Sequence, residues 1–311
     1  MKNEKLFISV FFVVSLLSKS WAQAPIFTDM YTADPSARVF NDTLYVFPSH
    51  DRDQAQWWDM EDYYVYWTTD LRQWHNGGKV LSIHDIKWAQ KYAWAPDCIE
   101  KEGKYYFYFP TDQKHIGVAV ANSPTGPYKD ALGKPLLSIS DPGVVCNRDF
   151  IDPCPFIDKD GKAYLYVGQN ALNIVELNDD MTSHKGKIHV IEDLPDFFEA
   201  SWMHEKDGVY YFSYSGHGKL YYATSDRPTG PFEFRGELLD EVNSGTNHHS
   251  IVEYKGQWYL FYHTSDLSLS RITNDNAGRK FVKWRRSVCF QPIEYLPDGL
   301  IKPITHHSAE M

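Results

Sequence analysis

The chain has 311 residues, a formal net charge of −10 and 16% aromatic residues. An acidic balance of this size excludes a phosphate-backbone ligand, so no nucleic-acid partner is expected. Ten Trp and 21 Tyr suit a neutral polar ligand with apolar faces, such as a sugar, and no basic run, Walker-type loop or dinucleotide fingerprint points elsewhere.

Lys2 and Lys5 precede an apolar run over residues 6–17, and Ser20-Trp21-Ala22 reads as a small-x-small cleavage site. Residues 1–22 are expected to be a secretory signal and residues 23–311 the mature domain, secreted to the periplasm or the cell exterior. About 12 apolar residues fall short of a bilayer span, and no other stretch is longer, so no membrane span is expected. Cys98, Cys146, Cys154 and Cys289 form no C-x-x-C pair, which leaves a zinc or redox centre without support. They read as mostly free, buried thiols.

Beyond the leader, a three-part unit recurs five times. Each copy has a head residue, a turn eight or nine positions later, and then an alternating aromatic strand. The heads are Asp34, Trp94, Asp152, Glu199 and His248. Their spacing of about 50–60 residues suits an architecture built from one small sheet per repeat. Stretches 37–40, 98–100, 156–158, 203–205 and 251–254 read as strands entering the turns, and 105–109, 163–167, 210–214 and 258–262 as their returning partners. Strands 63–68, 116–121 and 220–224, each followed by a polar turn, supply outer hairpins. Residues 54–64 insert an aromatic, acidic stretch into the first unit, either a rim helix or a loop. Residues 267–279 form a polar loop in the last, 282–294 return as strands, and 300–304 are expected to close a ring. The fold class is therefore all-β, a single-domain five-bladed β-propeller.

In such a ring, equivalent positions lie at equivalent radii, so the five heads converge at one mouth of the central channel. Carboxylates are rarely buried without a partner, and three of them on one axis suit chemistry better than core packing. Glycoside hydrolysis needs two positioned carboxyl groups, one giving a proton to the leaving oxygen and one acting on water or the anomeric carbon. Asp152 and Glu199, from adjacent blades, form the natural coupled pair, and Asp34 lies across the mouth as the natural base. Phe197-Phe198 and Trp202 flank Glu199 in sequence and should keep its carboxyl protonated, as a general acid requires. Asp-Pro at 34–35 and 152–153 often does no more than start a turn; the repeat position argues for more. His248 is in phase with the other heads and His249 is not. His248 either holds a cation or water on the axis or is a hydrogen-bonded structural residue. His50 lies at the rim or near the pocket, and Trp57 and Trp58 line a subsite or anchor packing.

Five short motifs, in order and with blade spacing, carry a family resemblance. They are Ala33-Asp34-Pro35-Ser36, Trp94-Ala95-Pro96-Asp97, Ile151-Asp152-Pro153, Glu199-Ala200-Ser201-Trp202-Met203 and His248-His249-Ser250-Ile251-Val252. The mature chain resembles glycoside hydrolase family 43. The resemblance implies Asp34 as general base, Asp152 as pKa modulator, Glu199 as general acid, and hydrolysis with inversion. It implies a substrate-contacting arginine in the last blade, best matched by Arg285 with Arg286 facing away by alternation; His50, Trp94 and Trp202 are expected to contact the sugar as well. It requires no cofactor for the chemistry, and allows a structural calcium beside His248. Either the 54–64 insertion or the 267–279 loop is expected to cap the pocket. The expected enzyme is a monomeric α-L-arabinofuranosidase or β-xylosidase acting on oligosaccharide or polysaccharide substrates. An exo-galactanase, an endo-arabinanase or xylanase of the same fold, a retaining hydrolase with Asp34 as nucleophile, and a non-catalytic glycan-binding propeller are the alternatives.

Overall fold

Alternating side chains on each strand face different neighbours, and that period of two builds the molecule. The computed structural model describes residues 23–272 and 280–307. The expected signal segment and residues 273–279 of the last-blade loop lie outside them. Blade one is β1 (Tyr31–Phe40), β2 (Thr43–Asp51), β3 (Asp62–Thr68) and β4 (His75–Ser82). Blade two is β5 (Asp97–Lys101), β6 (Lys104–Thr111) and β7 (His115–Ala121), with short β8 (Lys129–Asp130) and β9 (Leu137–Ser138) both on β7. Blade three is β10 (Cys154–Ile157), β11 (Ala163–Val167), β12 (Leu172–Leu177) and β13 (His184–Ile191), and blade four is β14 (Glu199–Lys206), β15 (Val209–Gly216), β16 (Lys219–Ser225) and β17 (Glu233–Leu239). Blade five has β18 (His249–Tyr254), β19 (Gln257–Thr264) and β20 (Ser287–Pro292), with a short helix α1 (Asp266–Ser270) between the last two. Neighbouring strands within each blade run antiparallel.

The core lies between blades. Tyr106 and Tyr108 of β6 pack with Leu165, Val167 and Val175 of blade three. Their alternates Tyr105, Phe107 and Phe109 pack with Phe47, Tyr63 and Val65 of blade one. Blade four fills the space between blades three and five through Phe212, Tyr214 and Leu220. Each buried aromatic contributes about 1.5–3 kcal/mol, so no sheet is stable without its two neighbours. The innermost strands β1, β5, β10, β14 and β18 touch in that order and return to β1, which is the fivefold ring.

The ring closes differently from expectation. Residues 300–304 do not close it; they lie against blade four, where the Ile304 N–H donates to Leu238 O at 2.9 Å. The segment before β1 and the start of β1 close the ring instead. The Ile26 N–H donates to Val288 O at 2.9 Å and the Thr32 N–H to Arg286 O at 3.0 Å. Blade five has only three strands of its own, and its open β20 edge takes the leading segment as a partner. All four cysteines are free thiols, three of them buried.

Candidate active site

Four of the five heads stand at or just before the start of an innermost strand, and Asp34 stands early in β1. All five line one cavity of about 550 Å³. A groove of about 690 Å³ on the outer face of blades three and four is larger but gathers no buried acids. Local backbone aims the head carboxyls. Asp34 and Asp152 both adopt left-handed φ, 50° and 59°, immediately before proline. Asp tolerates that region better than most residues. The β1–β2 register shifts between Ala33 and Ser36, and the β14–β15 register shifts between Glu199 and Trp202, where Ala200 has φ 63°. These bulges turn the carboxyls out of the pleat into the cavity.

Asp34 sits in a cationic cradle. Arg286 donates to its Oδ1 from Nη1 at 3.0 Å, and Ser49 Oγ donates to its Oδ2 at 2.6 Å. Burial is the largest single influence and would raise its pKa, but Arg286, the His263 and His248 imidazoles and Ser49 together outweigh it, and the value falls to about 2. Burial holds His263 at about 3 and His248 at about 4. Both imidazoles are therefore neutral near pH 7, and Arg286 is the charge that keeps Asp34 ionised there. Arg286 is fixed in turn by Asp51, which accepts from its Nε at 2.9 Å and its Nη2 at 2.8 Å.

The opposite wall behaves in the opposite sense. Glu199 opens onto the cavity, but protein encloses it elsewhere, and this desolvation raises its pKa to about 7. Gln169 Nε2 donates to Glu199 Oε2 at 2.8 Å and opposes the rise, while the Asp34 and Asp149 charges add to it. Asp152 is raised well above the usual range by burial and then by the Glu199 and Asp34 charges. Its Oδ2 accepts the Ala200 N–H at 2.7 Å. The two raised carboxyls titrate as one pair that retains a proton through neutral pH.

The remaining expected residues divide. Trp94 lines the cavity, and its Nε1 donates to Trp58 O at 2.8 Å. That bond ties blade two to the 54–64 insertion, whose residues 54–61 are a loop that brings Trp57, Trp58 and Met60 to the cavity wall before 62–64 enter β3. His248 is at the wall, with Nδ1 3.7 Å from Asp152 Oδ2 and 4.0 Å from Asp34 Oδ1. His249 points away to Ser213 at 2.6 Å, as the alternation requires.

Three expected sugar contacts lie elsewhere. His50 is absorbed by Asp62 at 2.8 Å and by the Tyr64 ring. Trp202 lies at the opposite channel mouth, donating from Nε1 to Ile251 O at 2.9 Å, with Arg38 stacked 4.2 Å from its ring centroid. Arg38 is paired with Asp97, so ions and aromatics plug that end. Two bulged residues separate Glu199 from Trp202, and this carries the Trp down the channel. Arg285 turns outward, with Nε 3.3 Å from Ala55 O, and Arg286 takes the inward place. Counting by alternation failed because residues Val282–Trp284 form one 3₁₀ turn, which breaks the period of two.

The residues fit a calcium cage poorly. Calcium takes six to eight oxygen ligands. Among the described residues, no group of three or more His, Cys, Asp or Glu is arranged to hold a metal. His248 brings one imidazole, and Asp34 is already held by Arg286 and Ser49. No step of the chemistry below passes through an ion.

Similarity to known proteins agrees with this geometry. The profile of glycosyl hydrolases family 43 matches residues 22–301. The chain belongs to family 43. It is a glycosidase of that family. It is 37% identical to the xylosidase/arabinosidase 43A of Humicola insolens over 89% of this chain and 98% of that one. It is 35% identical to a beta-xylosidase of Xylanibacter ruminicola over 90% and 98%. Among solved structures, a family 43 beta-xylosidase/alpha-arabinofuranosidase from a compost metagenome, bound to xylotriose in a calcium-free form, superposes with a TM-score of 0.80 at 35% identity, covering 92% of this chain and 98% of that one. A family 43 enzyme of Xanthomonas citri complexed with xylotriose gives 0.79 at 34% identity, covering 91% and 93%.

Proposed function

We propose that the enzyme removes xylosyl or arabinofuranosyl groups from plant polysaccharide fragments by a single displacement with inversion. The observation that carries this reading is the opposed pair of environments. Asp34 is held ionised by Arg286, while the Asp152–Glu199 pair is held protonated by burial. Separated pKa values of this kind assign base and acid.

In the proposed step, Glu199 gives its proton to the leaving glycosidic oxygen as the bond to the anomeric carbon breaks. Water attacks the opposite face of that carbon and passes a proton to Asp34. A carboxylate held near 2 is a weak base at rest. It suffices because the attacking water becomes acidic only as it bonds to an oxocarbenium-like carbon. Asp152 tunes the acid through charge and fixes the backbone beside it. Trp94 offers an apolar face to the sugar ring. Similarity to the xylosidase/arabinosidase and beta-xylosidase relatives supports the pentose assignment.

Product stereochemistry by proton NMR tests the reading. The first-formed sugar should have inverted anomeric configuration; retention would make Asp34 a nucleophile. Glu199→Gln should lose roughly a thousandfold on substrates with poor leaving groups and little on dinitrophenyl glycosides. Asp34→Asn should abolish turnover on both. Full activity of Glu199→Gln on a poor leaving group would remove Glu199 as the acid.

Lys2, Lys5 and the apolar run support export with cleavage after Ala22. Amino-terminal sequencing of the exported protein should read from Gln23. A monomer is proposed, and sedimentation at equilibrium should return a single-chain mass.

A further inference from the structure

Gln169 is tied to both raised acids, through its side chain and through the backbone on either side of it. It is 1% exposed, lines the cavity, and reaches Glu199 with its amide nitrogen. The backbone on either side is clamped to the segments that carry the two raised acids. The Gly168 N–H donates to Ile151 O, the residue before Asp152, at 2.9 Å. The Asn170 N–H donates to Phe198 O, the residue before Glu199, at 2.8 Å. The turn leaves no freedom at Gly168. Its φ is 126°, and a Cβ there would meet Ala171 O at 2.5 Å and Asn173 Nδ2 at 2.8 Å. Gln169 thus sits at a fixed point between the backbone of Asp152 and that of Glu199.

The amide's other end is unusual. Gln169 Oε1 is buried and makes no hydrogen bond to another protein atom. Leaving a buried acceptor without a protein donor costs stability. Among protein groups, the amide of Gln169 therefore serves Glu199 through its nitrogen alone.

Resting on the assignment of Glu199 as the acid, we infer that Gln169 is a positioning residue for proton transfer: its amide nitrogen occupies Glu199 Oε2, confining the transferable proton to Oε1. A carboxylic acid with both oxygens free can place its proton on either and can rotate. One oxygen accepting an N–H cannot carry the proton along that same direction. The proton therefore stays on the oxygen that has no protein donor.

The same bond favours the ionised carboxyl, so its loss has a signature that loss of packing does not share. Gln169→Met keeps length and volume and removes the donor and the orphan acceptor together. Expected are a 10- to 100-fold fall in kcat on xylobiose or a methoxyphenyl glycoside, a fall at least tenfold smaller on the dinitrophenyl glycoside, and an alkaline limb of the pH profile moved to higher pH. The Tm should be unchanged or higher. Equal losses on good and poor leaving groups, or an unmoved alkaline limb, would overturn the inference. Glu199→Gln run in parallel separates the two ideas. If that variant is inactive on poor leaving groups and Gln169→Met matches wild type, only the role of Gln169 fails. If Glu199→Gln is fully active there, the acid assignment itself fails.

Discussion

The carboxylate of Asp152 accepts the backbone N–H of Ala200 at 2.7 Å, so the side chain of one candidate acid fixes the main chain that carries the other. Asp152 and Glu199 are adjacent-blade neighbours joined through backbone as well as through charge. A substitution at Asp152 therefore disturbs both the proton inventory and the aim of Glu199. Asp152→Asn retains an acceptor for Ala200 and isolates the charge. It should lower the alkaline limb of the pH profile, because one of the charges that keeps a proton on the pair is gone.

The pH profile of the wild type follows from the same electrostatics. Asp34 must be ionised, and its pKa of about 2 places the acid limb well below pH 4. The Asp152–Glu199 pair must retain a proton, and the value of about 7 at Glu199 places the alkaline limb near neutrality. The expected kcat/KM profile is a broad plateau that falls above about pH 7. A steep acid limb between pH 4 and 6, measured where the fold is intact, would contradict the cradle around Asp34.

Arg286 and Arg285 should differ sharply despite being neighbours. Arg286→Lys removes a two-carboxylate clamp, so Asp34 loses its main stabilising charge geometry. Its kcat should fall by roughly a hundredfold, with the acid limb moving upward. Arg285→Ala removes only an outward contact to Ala55 O and should change kcat less than threefold. The contrast is read by steady-state kinetics on one aryl glycoside.

Stability should trade against activity at Glu199. A carboxyl whose folded pKa is raised contributes stability that is complete below its unfolded pKa. That stability is lost as pH rises through the folded value. For Glu199 the window runs from about 4.5 to about 7. Glu199→Gln removes this penalty, so its Tm should exceed that of wild type above pH 7 and match it near pH 4. The carboxyl opens onto the hydrated cavity, which limits the effect to about 1–2 kcal/mol, or roughly 3–6 °C. Calorimetry at the two pH values decides the sign.

Trp57 is 49% exposed although large and apolar, and it lies on the cavity wall edge-to-face with Trp58. An exposed indole there can stack on a sugar ring beyond the scissile bond. Trp57→Ala should lower kcat/KM for xylotriose about tenfold and leave a short aryl glycoside nearly unchanged. Equal effects on both would assign Trp57 to loop packing.

The inner hairpins were legible because each repeats a local pattern. Ala163–Val167 falls where strand and turn signals put it, and its partner Cys154–Ile157 overlaps the expected 156–158 stretch but begins two residues earlier. The convergence of Asp34, Asp152, Glu199, Trp94 and His248 followed from the repeat alone. Ser49 was also within reach of the sequence, since counting back from the Asn41-Asp42 turn brings it beside Asp34. Other partners were not. Gln169 reaches a carboxyl 30 positions away in sequence, and no local signal marks it. Trp202 and Arg285 were misplaced because bulges and a 3₁₀ turn shifted the parity on which alternation depends.

What the sequence determined by itself was a fivefold alternation: two apolar faces per sheet that only a ring of sheets can bury, with a distinctive residue at or near the start of each innermost strand. What only the tertiary structure decided was the charge state of those residues and the identity of their partners. A pKa in this cavity is set by burial and by charged side chains that come from separate blades. Arg286 and Asp34 stand 252 positions apart in sequence and come within 3.0 Å only because the leading segment bonds to β20 and closes the circle.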